Sequence, residues 1–95
     1  MEQTFFHPGE HLQEELDALS FTPETFAERL GVSPIRLVAV LHEQESMDAE
    51  LAMRLAHFFG TSAQYWMDLQ TAFDLERAQR LHGAEIEALP TLQAA

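Results

Sequence analysis

The chain has no cysteine, which excludes a disulfide staple, a thiolate zinc site and a cysteine nucleophile. It also has no lysine: all five basic side chains are arginines, set against sixteen acids, for a formal charge of −11. Such a balance keeps a protein soluble and repels nucleic acid, whose affinity comes largely from cations placed on phosphates. Uninterrupted apolar runs are only a few residues long, so no membrane span is expected, and the first seven residues lack a basic-then-apolar leader. A cytoplasmic location follows as the expectation. Sustained two-residue alternation is missing and β-branched residues are few, which argues against strands. What remains is an ordinary apolar share of 46% in 95 residues, enough for one small domain.

Four glycines and four prolines punctuate that domain. Pro8-Gly9 opens a first helix, in which Leu12, Leu16 and Leu19 recur at helical spacing among acids. Thr22-Pro23 and Ser33-Pro34 are two helix starts of the same kind, a hydroxyl that caps free amides followed by a proline that loses no bond. Gly31 between them suits a left-handed helix end. Asp48 caps a fourth helix carrying Leu51, Leu55, Phe58 and Phe59, which Gly60 stops. Ser62 caps a fifth, expected to reach about His82 before Gly83. The boundaries read as a flexible N-terminus over 1–7, a helix-turn-helix domain over 8–82 and a C-terminal tail over 83–95. The fold class is all-α with five helices.

Within it, Ala27, Gly31, Leu37 and Val40 have the spacing of a helix-turn-helix. A small residue lets two helices cross closely, a glycine takes the tight turn, and two aliphatics three apart anchor the second helix, with Val32 beneath. A plain helical hairpin satisfies the same spacing.

More specific are His7-Pro8-Gly9-Glu10 with Glu14-Glu15-Leu16, then Glu50 to Ala56, then Phe59-Gly60-Thr61-Ser62, Trp66 to Gln70 and Phe73-Asp74-Leu75. These stretches resemble HigA-type antitoxins of the Xre/Cro-like helix-turn-helix superfamily. The resemblance implies a five-helix Xre/lambda-repressor-like domain and a homodimer that represses its own double-stranded DNA operator. It further implies an antitoxin that neutralises a RelE-like ribonuclease toxin encoded beside it. The DNA-binding set it suggests is Arg29, Ser33, Pro34, Ile35, Arg36, Ala39, Gln44 and Arg54. Trp66, Leu69 and Phe73 are the candidate dimer residues. Trp66 is expected against the second and fourth helices, its indole N–H on a carbonyl.

The reader helix is unusual in its chemistry. Among its outward positions only Arg36 can contact a base bidentately, whereas Ile35, Val38 and Ala39 can touch only thymine methyls. The loop after it, His42-Glu43-Gln44-Glu45-Ser46, holds two acids and no arginine. Residues 28–54 hold five acids (Glu28, Glu43, Glu45, Asp48, Glu50) and three bases (Arg29, Arg36, Arg54), a sum of −2. Weak DNA binding with a shallow salt dependence is the expectation. The alternative is a helix-turn-helix scaffold that serves as a protein–protein interaction module without reading DNA, through that apolar face. A −11 chain also suits a basic ribonuclease as partner.

Five histidines raise a metal site, with His7 and His11 four apart beside Glu10 and Glu14. The others are scattered, so the histidines read as surface residues; no metal and no cofactor are expected. No carboxylate is ordered with a base or nucleophile in a recognisable way, so no enzymatic activity is expected.

Overall fold

The computed structural model describes residues 5–92; residues 1–4 and 93–95 lie outside the described residues, and with them most of the expected flexible N-terminus and the end of the expected tail. Five α-helices follow one another: α1 Pro8–Leu19, α2 Pro23–Leu30, α3 Pro34–Leu41, α4 Ala49–Phe59 and α5 Ala63–Glu87. No strand occurs among the described residues.

The starts are where the capping chemistry places them. Thr22 accepts from the Thr25 N–H, Ser33 from Arg36, Asp48 from Leu51 and Ser62 from Tyr65. Each such cap satisfies an amide that the helix leaves orphaned, worth about 1 kcal/mol. Gly31 ends α2 in the left-handed region at φ 73°, and its N–H returns to Ala27 and Glu28. The chain can therefore turn within two residues and start α3 at Ser33.

The core draws on every helix. Leu12 and Leu16 of α1, Phe26, Ala27 and Leu30 of α2, Leu37, Val40 and Leu41 of α3 meet Leu51, Ala52 and Leu55 of α4 and Trp66 of α5. An aromatic group of Phe21, Phe26, Phe58 and Phe59 closes the end where α2 and α4 meet, with ring centroids 5.0–6.3 Å apart. Val32 packs against the core, as its place after the turn requires.

Several details differ from the sequence expectation. Leu19 is exposed, because Ser20 takes a left-handed C-cap and the chain leaves before the third leucine reaches the core. Trp66 meets the rings of Phe59 of α4 and of His11 of α1 within the shared core, and its indole donates to the Thr61 hydroxyl at 3.2 Å rather than to a carbonyl. α5 continues through Gly83 to Glu87. A glycine inside a helix costs about 1 kcal/mol but does not end it, and here its neighbours keep the helical conformation until Pro90 approaches. The molecule is consequently elongated, 56 × 27 × 21 Å.

Gly9 has a different task from Gly31. A Cβ at position 9 would collide with the Val40 carbonyl, so the first turn of α1 and the end of α3 approach backbone to backbone. Relieving that collision needs a shift of main chain rather than of a side chain. Gly9→Ala is therefore expected to lower stability by about 1–3 kcal/mol. Urea denaturation of the two proteins measures this as a lower midpoint at an unchanged slope.

Candidate nucleic-acid interface

α3 has two faces. Leu37, Val40 and Leu41 are buried, while Ser33, Pro34 and Ile35 are exposed, Ile35 at 83%. Val38 and Ala39 are half-buried and, with Pro34, Ile35, Gln44 and Glu24, line a shallow depression of about 380 Å³. Ser33 caps the helix that presents this face.

Arg36 lies at the third position of α3 and turns toward the loop. Its guanidinium pairs with the Asp48 carboxylate through Nη2 and with Glu45 Oε2 through Nε at 3.5 Å. Asp48 thus has two partners, its Oδ1 taking the Leu51 N–H at 2.9 Å while Oδ2 holds Arg36. The Leu51 amide first, and Arg36 after it, hold the Asp48 carboxyl below its ordinary value of 3.8, against some desolvation.

The other two arginines are placed elsewhere. Arg29, in the last turn of α2, lies over the Phe21 ring at 5.2 Å. Arg54 donates to the Leu30 carbonyl at the end of α2 at 3.0 Å and pairs with Glu50 at 3.4 Å. Together they line a groove of about 530 Å³ with Leu30, Met53, His57 and Phe58. Of the expected DNA-binding set, then, Pro34, Ile35, Ala39 and Gln44 share one depression, Arg29 and Arg54 share another, and Arg36 faces the loop that follows α3. Trp66 and Phe73 are 2% and 8% exposed within the single chain and have little surface left for a second copy; Leu69 is half-buried.

The loop between α3 and α4 is fixed by residues that the sequence reading left without a role. Met47 is buried, and its N–H donates to the Gln70 Oε1 of α5 at 2.7 Å. Gln70 is itself buried, and its amide nitrogen donates to Asp74 at 3.0 Å. A buried amide with no charge of its own carries no sequence signal beyond its place in the Trp66–Gln70 block.

His7 is also buried, at 3% exposure, and not a surface histidine of a flexible N-terminus. Its Nδ1 accepts from the Gly9 N–H at 2.9 Å, capping α1, and its ring meets Phe73 edge-on at 5.1 Å. The ring proton therefore sits on Nε2. Burial lowers the His7 pKa below 6.5, partly offset by the carboxylates of Glu43 and Asp74. Among the described residues no three His, Asp or Glu side chains are grouped as a metal site would need, and no helix is long and apolar enough to cross a membrane.

Removing the acceptor with Gln70→Leu leaves the Met47 N–H buried and unpaired, a loss of about 1–3 kcal/mol in denaturation. The folded chain keeps His7 neutral, so it binds fewer protons than the unfolded chain. The stability this residue contributes is complete above pH 6.5 and lost as pH falls through the lowered folded value. His7→Asn retains a capping acceptor without titrating, and should show a smaller loss between about pH 7 and pH 5 in parallel melts.

A short capped helix laid across the core with one face free, joined to its predecessor by a glycine turn, defines a helix-turn-helix protein. No family model matches the chain. An addiction-module antidote protein of the HigA family from Coxiella burnetii is 38% identical with a TM-score of 0.89, covering 93% of this chain and 97% of that one. A Pseudomonas aeruginosa protein solved in complex with its operator DNA is 36% identical with a TM-score of 0.88, over 98% of this chain and all of that one. Virulence-associated protein I of Dichelobacter nodosus is 40% identical over 83% of this chain and 74% of its own length. The chain belongs to the HigA family of Xre-like helix-turn-helix proteins.

Proposed function

We propose that the protein is a dimeric, cytoplasmic antitoxin that binds the operator of its own module through α3 and neutralises a basic RelE-like ribonuclease. The observation that carries the reading is the exposed Ser33–Ile35 start of α3, followed by Arg36, on a scaffold that in the Pseudomonas aeruginosa relative holds operator DNA. Helices presented this way enter the major groove with their first turn on base edges. Arg36 is the residue able to pair with a guanine, while Ile35, Val38 and Ala39 offer methyl contacts. Ser33 and Gln44 complete the contact surface, with Arg29 and Arg54 toward phosphates.

Dimerisation is assigned to α5. Twenty-five residues make a rod of about 37 Å, and the core ends before its second half. Leu75, Leu81 and Ile86 stand exposed there, and Leu75 and Ile86 fall on one face. A second copy covering that stretch, with Leu69 at its near end, gains the apolar burial a small domain lacks. For the toxin, the −11 charge favours a basic enzyme built to hold RNA.

Gel shifts with the DNA upstream of the protein's own reading frame test the operator reading. A specific shift at low salt is expected, and Arg36→Ala should cost about 1–3 kcal/mol of it. Absence of any specific shift, with or without toxin, rejects autorepression. Sedimentation tests the dimer: Ile86→Glu should yield monomer while the helical content stays. The exposure of Ile35 favours one second reading, a protein-binding module on the same scaffold. In that case Ile35→Asp disrupts a protein complex and DNA binding is absent throughout.

A further inference from the structure

Of the arginines near α3, Arg36 is the one clasped by two carboxylates of the same chain, Glu45 and Asp48. Both acids come from the segment that Met47 and Gln70 tie down, so their place beside α3 is fixed and not a chance of loop motion. Asp48 is fixed a second time by capping α4. The Arg36 side chain is only 29% exposed, whereas those of Glu45 and Asp48 are 52% and 50% exposed. The guanidinium is thus held between two half-exposed acids, and water screens the pairs. A phosphate or a base edge seeking the Nε–Nη2 edge of Arg36 must take the place of the carboxylates already paired there. A single screened phosphate offers little over a carboxylate, whereas a guanine offers a bidentate acceptor pair in a groove that excludes water.

We propose that Glu45 and Asp48 are specificity-determining residues of this chain: they withhold Arg36 from generic phosphate contact and release it to a base edge. This rests on the operator-binding reading. The two acids act through Arg36 and touch no DNA themselves, so they are positioning residues. Beyond the general effect of two negative charges, their influence on DNA must vanish when Arg36 is removed.

The experiment measures binding of the full chain to its upstream DNA and to a scrambled duplex, across a range of salt, for Glu45→Gln with Asp48→Asn. Asparagine keeps the α4 cap. Glu43→Gln, in the same loop and making the same charge change, paired with Glu28→Gln, is the control. The double variant should bind scrambled DNA about two- to fivefold more tightly per released pair. Its salt slope should steepen by about 0.9 per freed arginine. In an Arg36→Ala background the same two substitutions should do no more than the control pair. A gain equal to the control's, a gain that persists without Arg36, or weaker binding to both duplexes overturns the proposal. Wild-type operator binding with an unchanged slope in the double variant refutes this inference alone; no DNA binding by any variant refutes it together with the operator reading.

Discussion

The position of α3 depends on how the segment after it is tied, and the tie is a hydrogen bond from the Met47 backbone to the buried Gln70 of α5. Without it the segment between α3 and α4 would carry an unpaired amide into the core, which proteins avoid. Gln70 is in turn oriented by Asp74 one turn further on. The same corner holds His7, whose ring is wedged against Phe73 next to Asp74. One small polar cluster thus fixes the start of α1, the loop after α3 and the middle of α5. The close approach of Gly9 to Val40 then sets the depth at which α1 lies on α3. Any side chain that α3 offers a partner is placed by these contacts.

Seen at this scale, the charge of −11 stops being a single objection to DNA. Charges further apart than about 8–10 Å are largely screened at physiological salt, so local pairs matter more than the sum. Locally, Arg54 satisfies the Leu30 carbonyl at the end of α2, Arg29 covers Phe21, and Arg36 is held by acids. The arginines near α3 are part of the architecture before any partner arrives. Exposed pairs of this sort are weak, about 0–1 kcal/mol each, and exchange readily. They set an order of preference among partners more than they hold the fold.

Much of this was legible in the sequence. Thr22-Pro23, Ser33-Pro34, Asp48 and Ser62 are read by type alone, because a cap needs a short oxygen-bearing side chain and nothing else supplies one. Gly31 and Gly60 are read the same way, since a left-handed residue disfavours any Cβ. Reading failed where tertiary contact decides. Gly83 carries the same letter as Gly31 but lies inside α5, so composition cannot tell a stop from a tolerated interior glycine. Leu19 keeps the stripe's period yet lies beyond the point where the chain turns away. His7 and Gln70 look like surface residues, and only long-range partners in α5 and the loop bury them. The pairing of Arg36 with Asp48, twelve positions on, belongs to the same class.

For a chain so poor in unengaged cations, reading DNA would carry a particular constraint. Non-specific affinity comes almost wholly from phosphate contacts and the counterions they release, so a chain with few unengaged arginines has a low background on any duplex. Discrimination is the ratio of specific to background binding, not the specific affinity alone. Lowering the background by local acids raises that ratio even when the operator complex is no tighter. The apolar face of α3 acts in the same direction, because Ile35, Val38 and Ala39 gain nothing from phosphate and something from a thymine methyl. An acidic loop beside an apolar helix is thus compatible with reading DNA, provided that affinity is recovered by doubling the contacts in a dimer. The apolar surface on which such doubling would draw is the exposed second half of α5, with Leu75 and Ile86.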